Sequence, residues 1–289
     1  MLSRELRQRL EHRLLVPILG ARPIGGGDIN DAYAIELEGG ITHFLKVKES
    51  APVAWFSAEV DGLEWLRASS SLRVPEVIAV SDRAERSAYL VLEWLPPARP
   101  VRDFDDRLAQ GLAALHRAGA PAFGFERDNF IGSLPQANGV RTTWCEFFRE
   151  QRLEPQLERA VNQKRLSYAA RRAFERLLAR LPDLLGPEEP ASRLHGDLWS
   201  GNLHVDDSGL PCWIDPAVYG GHREVDLAMM RLFGGFSERV FALYAELFPL
   251  PAGVEERVPL YQLYPLLVHL NLFGGSYGAS VERALSRYA

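Results

Sequence analysis

The run Pro96-Pro97-Ala98-Arg99-Pro100 divides this 289-residue chain into two parts with different patterning. Proline lacks the backbone N–H and its ring fixes φ, so three prolines in five residues can extend neither a helix nor a sheet ladder. Before this break the apolar residues mostly alternate, as strands require. Residues 31–37 (DAYAIEL) and 42–48 (THFLKVK) flank Gly39-Gly40 and predict a hairpin, with further strands near 77–80 and 88–94. One helix is expected from about 53 to 68, where Phe56, Val60, Leu63, Trp65 and Leu66 keep close to helical spacing. Beyond the break the pattern is helical over 103–118, 143–160, 168–185, 224–232, 236–247, 255–271 and 278–288. Two short strands, 202–205 and 211–214, are expected on either side of the turn Asp207-Ser208-Gly209.

The expected fold is therefore α+β and bilobal: residues 1–95 form a small antiparallel-sheet lobe, and 96–289 a larger, mainly helical one. With 47% apolar residues the chain can bury a full core without staples. Its net charge of −5, with both signs mixed along the sequence, argues against nucleic acid or an anionic membrane as partner. Cys145 and Cys212 have no metal-type spacing, which disfavours a disulfide framework or a zinc module and suits a reducing cytoplasm. The richest apolar stretch, 264–273, contains His269 and Asn271 and is too short to cross a membrane, so it reads as a core helix. Leu2, Leu6, Leu10 and Leu14 share one face of an N-terminal helix. Glu5 and Glu11 among its arginines argue against a transit peptide, and a surface helix is expected.

Chemistry concentrates in Leu194-His195-Gly196-Asp197-Leu198-Trp199-Ser200-Gly201-Asn202, which has the spacing H-x-D-x-x-x-x-N of a kinase catalytic loop. Phosphoryl transfer needs a carboxylate beside the attacking hydroxyl and separate oxygen ligands for magnesium on the phosphates. Asp197 suits the first role. Asn202 suits the second, together with Asp215 at the end of the second short strand, since both are oxygen donors for a hard cation. Turn formation alone would account for Asp197 and Asn202 but not for Asp215.

Upstream, Gly25-Gly26-Gly27 opens a strand, and its backbone could approach the phosphates of ATP; the rival reading is an ordinary hairpin turn. Lys46 lies among apolar neighbours on the next strand and needs anionic partners, which phosphates and Glu59 on the following helix would supply. Lys48 shares its face by parity and is the rival. Glu93 and Leu95, where the last strand meets the proline break, are candidates to meet adenine through their backbone. His222, Arg223, Glu224 and Asp226 cluster at a helix start; they either edge the acceptor site or form a cap with internal ion pairs.

These motifs resemble those of the fructosamine kinase (ketosamine-3-kinase) family, within the protein-kinase-like superfamily of aminoglycoside phosphotransferases. The resemblance runs from about residue 20 to 278. It rests on Gly25-Gly26-Gly27-Asp28-Ile29-Asn30, on the Leu-Trp-Ser-Gly insert between Asp197 and Asn202, and on the stretch from Ile214-Asp215-Pro216-Ala217 to His222-Arg223-Glu224-Val225-Asp226. It implies ATP- and magnesium-dependent phosphorylation of the 3-hydroxyl of a ketosamine, followed by loss of the sugar. On the same terms Asp197 is the base, Lys46 with Glu59 orients ATP, Asn202 and Asp215 hold Mg2+, and Trp199 offers its flat face to the sugar, with His222 and Glu224 at the acceptor. A related kinase of aminoglycosides or amino alcohols is the alternative. Asp215 is followed by Pro-Ala instead of Phe-Gly and Gly196 stands where protein kinases carry arginine, which points to a small-molecule acceptor.

Overall fold

The computed structural model describes residues 2–25, 29–69, 71–82 and 87–288. Helix α1 (Arg4–Leu14) precedes a five-stranded antiparallel sheet made of β1 (Ile18–Ile24), β2 (Asp31–Leu37), β3 (Thr42–Glu49), β4 (Val77–Ser81) and β5 (Ser87–Glu93), with α2 (Trp55–Arg67) between β3 and β4. The strand order is β1-β2-β3-β5-β4. Ser3 caps α1 by accepting from the Leu6 amide at 3.2 Å. The helix is a surface element with one packed face: Arg4, Arg7 and Gln8 are exposed, while Leu6 and Leu10 are buried against Ile35, Leu45, Val47 and Val91 on one face of the sheet. The four-residue leucine repeat on the first helix is thus the stripe that covers a sheet.

Because successive strand residues point to opposite faces, Leu45 and Val47 of β3 face α1, while Lys46, between them, faces α2. On that second face Phe56, Leu63 and Leu66 of α2 join Leu90 and Leu92 of β5, and the same core continues into Leu108 and Leu112 of α3 (Phe104–Arg117), Trp213 and Val218. Residues 94–103, which carry the proline run, contain neither helix nor strand.

The helical part continues with the hairpin β6 (Asn129–Ile131) and β7 (Leu134–Gln136), then α4 (Trp144–Phe147), a π-helical turn (Phe148–Leu153) and α5 (Glu154–Asn162). Next come α6 (Tyr168–Ala179) and the short α7 (Leu181–Leu184), where Pro182 opens a new helix instead of continuing the first. Strand β8 (Ser192–Leu194) leads into the catalytic-type loop. A 3-10 turn (Ser200–Asn202), β9 (Leu203–Val205), β10 (Pro211–Trp213) and β11 (Tyr219–Gly221) follow, then α8 (Glu224–Phe233), α9 (Glu238–Leu247), α10 (Val254–Phe273) and α11 (Tyr277–Leu285). Helix α10 is apolar around most of its circumference, with Leu260, Tyr261, Leu263, Tyr264, Leu267 and Val268 all buried, so it is the spine of this core. Short β8 pairs with β11, and β9 with β10. These two ladders bring the two loops of interest side by side.

Candidate active site

The Lys46 side chain crosses from β3 to two carboxylates: Nζ lies 2.6 Å from Glu59 Oε1 and 2.5 Å from Asp215 Oδ1. Only 6% of Lys46 is exposed, and burial works to lower its pKa; Asp215 and Glu59 more than offset this and hold it above the ordinary lysine value. Glu59 is positioned by an unusual helix start. Ala54, at the N-cap of α2, has φ 62° and offers no side-chain cap. Asp82, at the end of β4, does so instead, accepting from the amides of Phe56 and Ser57 at 2.8 Å each. Gly62, one turn on from Glu59, lets α2 touch the Asp215 loop: a Cβ there would stand 3.0 Å from Pro216 Cγ.

Lys48, the rival on the same face, has a different task. It donates to the Ile29 carbonyl at 2.9 Å and sits 4.5 Å above the Trp55 ring, whose Nε1 donates to Asn30 Oδ1 at 3.1 Å. It braces the far end of the glycine-rich loop. Gly25, exposed just past the end of β1, is that loop's near end; Gly26 and Gly27 lie outside the described residues.

Asp215 itself is left-handed, with φ 52°, where the chain turns sharply after β10. Its neighbour across the cleft is the 195–202 loop. Asn202 Nδ2 donates to the Asp197 carbonyl and to Asp197 Oδ2, both at 2.9 Å, and to the Asp215 carbonyl at 3.3 Å. The amide group of Asn202 is thereby oriented, with its own oxygen left as the acceptor end. Burial pushes the Asp197 carboxyl up to about 7; Asn202 acts against this, while the nearby charges of Asp215 and Asp226 add to it.

The loop is held from below by Asp226, a role the sequence reading did not assign. Its fully buried carboxylate accepts from the His195 amide at 2.8 Å and the Gly196 amide at 3.0 Å, and contacts His116 Nε2 at 3.3 Å. His116 Nδ1 is in turn 2.7 Å from the Tyr244 hydroxyl. Burial alone would raise the pKa of Asp226, but these partners bring it below the usual carboxylate value. Gly196 has φ +82°, and a Cβ there would lie 2.0 Å from the Ala217 carbonyl oxygen, so only glycine fits. His195 ties the two loops together, with Nε2 3.0 Å from the Ile214 carbonyl and its own carbonyl accepting from Ala217 at 2.9 Å.

Trp199 is 40% exposed beside Asp197, and its ring lies over Gly201, where a Cβ would stand 2.2 Å from the indole. It is a surface at the cleft and not core packing. His222 and Glu224 are corrected by the structure, which does not place them at an acceptor surface. Glu224 accepts from Arg257 at 2.9 and 2.6 Å, Arg223 pairs with Glu189 twice at 2.8 Å, and His222 stacks on Tyr261 with ring centroids 5.7 Å apart. All of His222, Arg223 and Glu224 are buried, forming the internal ion-pair cluster of a helix start. The Glu93 carboxylate is likewise engaged, 2.6 Å from Arg73, which also reaches Asp206 at 3.1 Å and Asp207 at 2.6 Å. The Leu95 carbonyl lies 3.0 Å from His204 Nε2. The Glu93 side chain is thus taken up by Arg73, and the Leu95 side chain is buried.

An antiparallel five-stranded sheet packed on a helical lobe, with a strand lysine paired to a helix glutamate and facing an Asp/Asn pair from two loops, defines a protein-kinase-like phosphotransferase. Aminoglycoside phosphotransferase APH(4)-Ia shares this fold, with a TM-score of 0.64 at 17% identity over 98% of this chain and 99% of the other. A Thermobifida fusca crystal structure, provisionally described as fructosamine-3-kinase, matches with a TM-score of 0.89 at 38% identity, covering 99% of this chain and 98% of that one. The "probable ketoamine kinase" of Enterococcus faecium is 42% identical over 92% of this chain and 94% of its own length, and that of Synechocystis 41% identical over 92% and 89%. The family model described as "Fructosamine kinase" matches residues 3–289. The chain belongs to the fructosamine kinase family and is a kinase. Among the described residues no helix is long and apolar enough to cross a membrane.

Proposed function

We propose that this enzyme transfers the γ-phosphoryl group of ATP to the 3-hydroxyl of a ketosamine, in the cytoplasm, with Mg2+ as the metal. The observation that carries this reading is the convergence of Lys46, Glu59, Asp197, Asn202 and Asp215 on one cleft. The donor set fits magnesium: Asn202 and Asp215 offer oxygen atoms, and three carboxylates near a single ammonium leave negative charge for a divalent cation to balance. Held by Asn202 and Asp215, the metal would offset the charge that develops on the transferring phosphoryl group.

Lys46, oriented by Glu59, binds the phosphates, and the backbone at Gly25, where the glycine-rich loop leaves β1, approaches them. Main-chain groups of Glu93 and Leu95 receive adenine. Asn202 occupies Asp197 Oδ2, which leaves Oδ1 to take the proton of the sugar hydroxyl as its oxygen bonds to the γ-phosphorus and the bond to ADP breaks. Trp199 lies under the apolar face of the sugar. The product carries phosphate one carbon beyond the C2 carbonyl. Enolisation toward C1 expels that phosphate, and hydrolysis then frees the amine, so the outcome is deglycation.

The purified protein with ATP and Mg2+ is expected to release ADP on addition of a ribulosamine, erythrulosamine or fructosamine, with a new phosphorus resonance coupled to the proton on C3. Turnover of aminoglycosides or amino alcohols with none on any ketosamine would overturn the reading.

A further inference from the structure

Arg152 is fully buried, and among the described residues no carboxylate lies within ion-pair distance of its guanidinium. Nη1 donates to the carbonyls of Ala137 at 2.5 Å and Gln151 at 2.9 Å, Nη2 to Asn138 Oδ1 at 2.7 Å, and Nε to no group among the described residues. Burying an uncompensated charge costs stability, and an apolar side chain of similar volume is often neutral or better in such a place. Stability alone therefore does not account for a cation here. The residue also lies in the π-helical turn Phe148–Leu153, a distortion found disproportionately at functional sites.

Two routes lead from Arg152 to the cleft. The first is a chain of buried amides. Asn138 Nδ2 donates to Asn129 Oδ1 at 2.9 Å, Asn129 Nδ2 to the Val218 carbonyl at 2.9 Å, and Gln136 Nε2 to Asn129 Oδ1 at 2.8 Å and the Ala217 carbonyl at 3.1 Å. Ala217 and Val218 directly follow Asp215-Pro216, so the chain ends on the loop that presents Asp215. The second route runs through rings. The guanidinium carbon lies 3.8 Å from the ring centroid of Tyr219 and 5.5 Å from that of Tyr264. A Cβ on Gly196 would stand 3.3 Å from Tyr219 Cε1, so this ring backs the peptide before Asp197. Tyr264 donates to Gln136 Oε1 at 2.5 Å and lines the hollow beside Asp197.

We propose that Arg152 is a positioning residue of the kinase. Through the amides of Asn138, Asn129 and Gln136, and through the Tyr219 ring, it fixes the Asp215 and Asp197 loops relative to each other without touching ATP or acceptor. This rests on the roles given to Asp197 and Asp215 above. The planar fork of arginine holds Ala137 and Asn138 at once; lysine keeps the charge but not that geometry.

The test measures kcat, ATP affinity and melting temperature for Arg152→Met, Arg152→Lys, Gln136→Met and the N-lobe surface control Ile41→Ala. The acceptor is any that the wild type phosphorylates, so the result does not depend on the acceptor class. Arg152→Met is expected to melt within a few degrees of wild type and to bind ATP within a few fold, yet to lose at least about tenfold in kcat. Arg152→Lys regains part of that loss, and Ile41→Ala shows none. Gln136→Met breaks the amide chain at the Ala217 carbonyl with Arg152 intact, and the same split between kcat and ATP affinity is expected. A kcat within twofold of wild type in Arg152→Met would overturn the proposal, as would ATP affinity falling in step with kcat. An Arg152→Met that does not fold, beside a Gln136→Met with wild-type kcat, would overturn it too and leave Arg152 a staple of the core. Wild-type turnover by Asp197→Asn in the same assay would instead remove the reading on which the proposal rests.

Discussion

The carboxylate of Asp226 carries the backbone of Gly196: Oδ1 accepts the Gly196 amide at 3.0 Å while Oδ2 accepts the His195 amide at 2.8 Å. One buried anion thus fixes the peptide units immediately before Asp197. Asp226→Asn replaces one of the two acceptor oxygens with a donor that meets an amide N–H. We expect a loss of about 2–4 kcal/mol in stability, from leaving a buried donor unsatisfied, and a fall in kcat of at least about a hundredfold. Denaturant unfolding and steady-state kinetics check both; a variant with wild-type stability and kcat would remove Asp226 from this role.

Gly196→Ala tests the packing of the same loop. Its Cβ would stand 2.0 Å from the Ala217 carbonyl oxygen, at a φ of +82° that alanine disfavours. Because the obstacle is backbone, it cannot move without moving Asp215, two residues earlier. The expected cost is about 2–3 kcal/mol of stability, with a larger fractional loss of turnover than of fold. Calorimetry beside an activity assay at a temperature well below the melting point separates the two.

Glu59→Gln leaves Lys46 paired with Asp215 alone and weakens the contact that orients the lysine. We expect the fold to persist, kcat/KM for ATP to fall about ten- to a hundredfold, and most of that loss to appear in kcat. An unchanged kcat/KM for ATP would show that Glu59 does not orient the lysine.

The pH dependence follows from Asp197, whose carboxyl is raised to about 7 from an ordinary 3.8. A base must be ionised, so kcat/KM should fall on the acid side with an apparent pKa near 7, and the limb of kcat should lie lower because bound magnesium favours the carboxylate. Stability runs the opposite way. The folded state holds this proton more tightly than the unfolded chain, so the contribution of Asp197 is greatest below about pH 4 and is lost as pH rises through 7. Asp197→Asn should therefore melt higher than wild type at pH 8, by about 1 kcal/mol in stability, and lose that advantage near pH 4.

Period-two alternation was strong enough to expose β2 and β3, and helical spacing α2, α3, α9 and α11, because each of these elements buries one face, whereas β5, α8 and α10, buried on several sides, were legible as apolar runs. Strands β6 to β8 and β11, of three residues each, were not legible: their register is set by long-range pairing, such as Tyr219 against Leu194, and not by any local pattern. The amphipathic stripe of α1 was visible, but what it covers depends on the sheet. At the site, Lys46, Glu59, Asp197, Asn202 and Asp215 could be picked out because charged or amide side chains stood at meaningful spacings. Asp82 and His116 could not, and Asp226 stood out only as one charge of a helix-start cluster, since their work is to hold backbone amides and side chains of distant elements. His222 and Glu224 carry the right chemistry for an acceptor site. Only the coordinates reveal that Tyr261 and Arg257 already occupy them.

The central claim is that Asp197 takes the acceptor proton in a cleft otherwise complete for binding ATP, and single-turnover phosphoryl transfer by Asp197→Asn, measured beside its ATP affinity, tests it most directly. The account predicts that transfer to a ketosamine becomes undetectable, at least about a thousandfold slower, while the dissociation constant for ATP stays within a few fold of wild type. Transfer at close to the wild-type rate would contradict it.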